Sequence, residues 1–124
     1  MDLASKHQWC GWFEIPVSDM ERAMSFYNQV FDKKHERFAM GPLDMCVYEH
    51  GLVGMALVKN EFYQPGPQGP MVYLNANPDL QTFLDRIEPA GGKIIQDKKM
   101  ISPEHGFMAV FTDTEGNRLA LHSD

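Results

Sequence analysis

Residues 12–31, WFEIPVSDMERAMSFYNQVF, and residues 71–87, MVYLNANPDLQTFLDRI, share one pattern: an alternating apolar run leads directly into an amphipathic helix signal. In the first, Phe13, Ile15 and Val17 alternate, and Met20, Ala23, Met24, Tyr27, Val30 and Phe31 then recur at helical spacing. In the second, Val72, Leu74 and Ala76 alternate before Leu80, Phe83, Leu84 and Ile87. The matched positions lie about 59 or 60 residues apart, so the chain carries one supersecondary unit twice. Ser18 followed by Glu21 reads as a capping box for the first helix. Asn77 reads as the cap of the second, with Pro78 in its first position, and Pro89 and Gly91-Gly92 mark its end.

Each strand–helix pair is followed by short strand signals separated by turn residues. The first half gives runs at 35–40, 45–50 and 52–58, and the second half gives runs at 93–96, near Met100, at 107–112 and at 118–122. Both halves therefore read β-α-β-β-β. The stretch PGPQGP, Pro65 to Pro70, continues neither helix nor sheet and reads as a linker. The expectation is an α+β fold in one domain spanning 1–124, with mixed sheets forming a half-open barrel around a cavity. Module one covers about 7–60, the linker about 61–70 and module two about 71–124.

Period 2 assigns the faces. With Phe13, Ile15 and Val17 under the helix, Trp12 and Glu14 point to the inner, cavity side of the sheet, and by the repeat so do Met71, Tyr73 and Asn75. In the last strand Leu119 and Leu121 join the core, which turns Arg118, Ala120 and His122 inward, towards the cavity. A carboxylate on such a face loses solvent and becomes a proton acceptor or a cation anchor, so Glu14 is the candidate base and His122 its candidate partner. Trp12, Met71, Tyr73, Asn75 and Arg118 are the candidate substrate-binding residues, the tyrosine and asparagine supplying a hydroxyl and an amide to orient a small polar ligand.

The residues FEIPVSDMERAMSFY in the first half and FTDTEGNRLALH in the second resemble the vicinal-oxygen-chelate superfamily, which contains glyoxalase I, extradiol dioxygenases, fosfomycin-resistance enzymes and bleomycin-binding proteins. The resemblance covers nearly the whole chain. It implies paired βαβββ modules, a homodimer, and a cavity that binds a small organic molecule. Metal-using members place ligands at positions that fall on Trp12, on Met71, on Ala120 and on Met55 or Ala56 here. None of these offers the nitrogen or oxygen donors that a divalent ion needs. The expectation is thus a small-molecule site with no metal ligands and no cofactor. The alternatives are a metal-dependent lyase or dioxygenase with a displaced set drawn from Glu14, His122 and Glu49 or His50, and a non-catalytic binding or resistance protein.

Charge and composition narrow the partners. A net charge of -6 with no basic cluster longer than Lys98-Lys99 disfavours nucleic acid and anionic lipid. No apolar run approaches a membrane span and no basic-then-apolar leader is visible, which points to a cytoplasmic chain. Cys10 and Cys46 lack zinc or redox spacing and are read as buried apolar residues.

Overall fold

The computed structural model describes residues 8–124, so residue 7, where the first module was expected to begin, lies outside the described residues. The elements run β1 (Trp12–Pro16), α1 (Met20–Phe31), β2 (His35–Met40), β3 (Leu43–Tyr48), β4 (Gly54–Lys59), β5 (Tyr73–Asn75), α2 (Leu80–Ile87), β6 (Lys93–Ser102), β7 (Gly106–Thr112) and β8 (Arg118–Ser123). They form two four-stranded mixed sheets ordered β1-β4-β3-β2 and β5-β8-β7-β6, each with one parallel pair, β1 with β4 and β5 with β8. Neither sheet closes on itself, and the fold is α+β. Residues 65–70 contain neither helix nor strand, and the Gly66 N–H donates to Asn117 Oδ1 at 3.0 Å.

Both helix caps differ from expectation by one or two residues. Asp19, not Ser18, caps α1 by accepting from the Arg22 N–H at 3.0 Å, and Glu21 turns outward to pair with Arg37. Asp79, not Asn77, caps α2 by accepting from the Gln81 N–H at 2.9 Å, which leaves Pro78 before the helix. Aspartate competes equally with serine and asparagine for this position, so the better-placed residue wins. Strand β3 begins two residues earlier than the sequence suggests, because Gly41-Pro42 make a tight two-residue turn that pairs Met40 with Leu43. Strand β6 is one bulged strand rather than two runs. Cys46 is buried as expected, whereas Cys10 is exposed, because it precedes β1 and reaches no core.

One core joins the two sheets. Ile15, Val17, Cys46, Tyr48 and Leu57 from the first sheet share it with Ala109, Phe111, Leu119 and Leu121 from the second, and with the buried stripes of both helices. Phe26 of α1 stacks on Phe111 of β7 at 6.1 Å, Phe31 stacks on Phe83 of α2 at 5.4 Å, and Arg86 donates to the Val30 carbonyl at 2.9 Å. Each such side chain contributes about 1.5–3 kcal/mol on burial, so the shared core is the main force holding the halves together. Both sheets turn their helix-side faces into this core, and on their other faces exposed Trp12 and Tyr73 stand beside buried Ala56, Val58 and Ala120.

Candidate functional site

On the other face of the first sheet, the β1–β4 register sets Gly54 opposite Trp12 and Ala56 opposite Glu14. A side-chain carbon on Gly54 would come within 2.4 Å of the Trp12 ring, so only glycine lets the indole lie against this strand. His50 meets the same indole edge-on at 5.7 Å. The Trp12 Nε1–H donates to Glu14 Oε2 at 3.3 Å, and the Tyr63 hydroxyl donates to Glu14 Oε1 at 2.6 Å. Tyr63 packs against Met45, Ala56 and Val58, so a residue just before the proline-rich stretch fixes a carboxylate on β1. Its hydrogen bond to Glu14, with some burial, holds the Tyr63 phenol above its ordinary pKa. An aromatic and a carboxylate share this face because the ring nitrogen binds the carboxylate.

The second sheet brings together another group of expected residues. Tyr73 stands opposite Ala120 and Asn75 opposite His122 on the β5–β8 pair. Tyr73 is half exposed, Asn75 Oδ1 accepts from the Asn77 N–H at 3.0 Å, and His122 Nε2 lies 2.7 Å from the His105 carbonyl oxygen. Arg118 is exposed at the start of β8, and Met71 precedes β5. Glu14 and His122 therefore stand on different sheets and share no hydrogen bond. The displaced metal set is likewise not assembled: among the described residues no three His, Cys, Asp or Glu side chains are grouped to hold an ion.

A cleft of about 790 Å³ lies on the helix side, between the halves. Phe13, Phe31, Met55, Leu74 and Phe83 give it apolar walls. Met71, Tyr73 and Asn75 line it, but Trp12, Glu14, Arg118 and His122 do not. Of the three phenols on its wall two are engaged, Tyr27 donating to Asp113 at 2.8 Å and Tyr48 to Asn28 at 2.9 Å, while Tyr73 is half exposed.

Sequence reasoning missed the role of the 113–117 turn. Glu115 Oε1 accepts from the N–H groups of Ser18 and Asp19, both at 2.9 Å, and from the Ser18 hydroxyl, while Oε2 accepts from Arg22 Nε at 2.8 Å and from Thr114. Burial alone would raise its pKa, but Arg22 and the Ser18 and Asp19 amides outweigh it and bring the carboxyl down to about 2. Asp113 accepts from Tyr27, Asn117 and the Glu115 N–H, and burial nonetheless leaves its pKa raised. A turn of the second half thus supplies the anion at the α1 N-terminus, where a carboxylate is favoured. The signal lay in the D-x-E-G-N spelling, but its partners are remote in sequence.

Residues 9–121 match the sequence profile of the Glyoxalase/Bleomycin resistance protein/Dioxygenase superfamily. The chain belongs to that superfamily. A glyoxylase-like domain-containing protein from Didymella fabae is 27% identical over 120 residues, covering 93% of each chain. Hypothetical protein SA1046 from S. aureus superposes with a TM-score of 0.70 at 23% identity, over 91% of this chain and 95% of that one. TnmS3, an antibiotic binding protein from Streptomyces sp. CB03234, superposes with a TM-score of 0.71 at 22% identity, over 94% and 95%. By the sequence resemblance, the positions from which metal-using members take ligands fall on Trp12, Met71, Ala120 and a β4 residue of this chain. The register identifies the β4 position on the Glu14 face as Ala56, since Met55 pairs with Phe13 on the helix side. An indole, a thioether and two methyl groups do not fit a hard or borderline cation. Among the described residues no helix is long and apolar enough to cross a membrane.

Proposed function

We propose that this superfamily member binds a small organic molecule without a divalent ion, on the sheet faces that carry Trp12 and Glu14 in one half and Tyr73, Asn75 and His122 in the other. The observation that carries this reading is the Glu14 carboxylate, aimed by two side-chain donors on a face where the superfamily's ligand positions hold no metal donors. The two groups stand on separate sheets that share a core through their helix-side faces, so on this reading a cavity enclosing both forms with a second copy of the chain, the first-half face of one protomer against the second-half face of its partner. Exposed Trp12, Met40 and Tyr73 supply apolar surface for that contact. Where the bound molecule carries an acidic C–H or O–H, Glu14 is the base, with Tyr73, Asn75, Arg118 and His122 placing the substrate and Met71 lining its pocket.

Two measurements test this reading. Light scattering or sedimentation gives a homodimer, and a thermal-shift screen finds a metabolite that raises Tm in chelator-treated protein. A stoichiometric divalent ion that copurifies and is lost in Glu14→Ala overturns the reading.

The helix-side cleft favours a second reading. Its volume suits a drug-sized molecule, and with Tyr27 and Tyr48 already committed it would select mainly by contact with its apolar walls, Tyr73 and Asn75 being the polar groups at its edge. Met55→Trp, which fills this cleft, abolishes the thermal shift only under the second reading.

A further inference from the structure

We infer that the ligand of the Glu14 face is an organic cation, a substituted ammonium or guanidinium held by the carboxylate and by the indole of Trp12; this rests on the binding reading above and names its chemical class. Three observations converge on it. No Lys, Arg or His nitrogen lies within 4.0 Å of the Glu14 carboxylate among the described residues, whereas Glu115, Asp44 and Asp79 each have a cationic partner, Arg22, Arg37 and Lys98. The two donors to Glu14, an indole N–H and a phenol O–H, are both neutral, so they orient the carboxylate without cancelling its charge. A carboxylate offers about four acceptor sites, and only two are used. Finally, the wall beside it is aromatic: Trp12 keeps 42% of its surface exposed, and the partly buried Tyr63 ring lies next to the carboxylate, seated on the buried Ala56 and Val58.

This combination discriminates between ligand classes. A metal ion needs several donors to offset its dehydration, and among the described residues no three His, Cys, Asp or Glu side chains are grouped here, His50 being the one such group near Trp12 besides Glu14. An anion meets a carboxylate on a chain of net charge -6. A weakly hydrated organic cation needs one anion and an electron-rich ring face, and it supplies the counter-charge that the fold withholds from Glu14.

The test uses Trp12 as its own reporter. Trp9 is fully exposed and is the second of two tryptophans, so Trp9→Phe leaves Trp12 as the single emitter. Benzyltrimethylammonium and its uncharged carbon isostere, neopentylbenzene, are titrated against the full chain while Trp12 emission is followed. The expected result is saturable binding of the cation at least about tenfold tighter than of the isostere, weakened by at least about tenfold in Glu14→Gln. Raising the salt concentration on the unsubstituted Glu14 background weakens the cation and leaves the isostere unchanged, a control that requires no new variant to fold. Equal binding of both probes, or a cation affinity indifferent to Glu14→Gln and to salt, sinks the cation and leaves small-molecule binding on this face intact. A saturable response from neither probe also sinks it, and the metabolite screen then decides the broader reading separately.

Discussion

Glu14 and Glu115 are both glutamates that accept hydrogen bonds from side chains distant in sequence, yet they do opposite work. Glu115 is buried, takes bonds from two backbone amides, two hydroxyls and an arginine, and ties the second half of the chain to the start of α1. Glu14 takes two neutral donors on the face opposite the helix and joins nothing to anything beyond its own sheet and Tyr63. A saturated carboxylate is an element of structure, while one left with acceptor capacity and no counter-ion is available to a ligand. Substitutions at the two sites should therefore separate stability from binding.

The largest effect belongs to Glu115→Ala. It leaves the Ser18 and Asp19 amides without an acceptor and the half-exposed Arg22 without its partner, so urea unfolding should show a loss of about 3 kcal/mol, within the summed cost of two unmet backbone donors. A loss below about 1 kcal/mol would place the turn among ordinary surface features. The pH dependence sharpens the same point. Glu115 titrates at about 2 in the folded chain against an ordinary value of 4.5, so its contribution is complete above 4.5 and is lost as the pH falls towards 2. Asp113 acts in the opposite sense: burial raises its pKa, so its charge opposes folding at neutral pH and protonation relieves that cost. Denaturation midpoints should fall across the acid range, and Glu115→Gln should flatten that fall.

The contrast also explains what could be read from the sequence. The repeat, both helices and the faces of β1, β5 and β8 follow from periods 2 and 3.6, which are local; Ile15, Val17, Leu119 and Leu121 lie in the core as their alternation requires. Trp12 and Glu14 were legible as neighbours on one face for the same reason. Tyr63 was not legible as the partner of Glu14, because a loop residue has no period and the contact spans 49 positions. The caps were misassigned where several capping residues stood side by side. Nor could local pattern reveal that the two halves meet through their helix-side faces, since that packing joins residues remote in sequence.

A smaller effect than at Glu115 is expected at Gly54. A methyl there would meet the Trp12 ring at 2.4 Å and must push the indole from the strand. Gly54→Ala should cost about 1–3 kcal/mol by overpacking and break the bond from the indole to Glu14. Changed Trp12 emission in a Trp9→Phe background would report the displacement. Unchanged emission would mean that glycine is not what seats the ring.

The smallest effect on stability is expected at Glu14 itself. Glu14→Gln keeps the shape and an acceptor oxygen for Tyr63 or Trp12 and leaves no buried partner stranded, so unfolding should change by less than about 1 kcal/mol. Its signature lies in Tyr63 instead. The hydrogen bond to the carboxylate is the largest cause of the raised Tyr63 pKa, because ionising the phenol removes the donated proton and sets two negative charges together. With a neutral amide that penalty disappears, and one tyrosine should ionise at lower pH in an absorbance titration while Tyr27 and Tyr48, held high mainly by burial, do not move. A tyrosine profile indifferent to Glu14→Gln would mean that Tyr63 does not hold the carboxylate in solution, and the distinction between a structural and an available glutamate would lose its geometric basis.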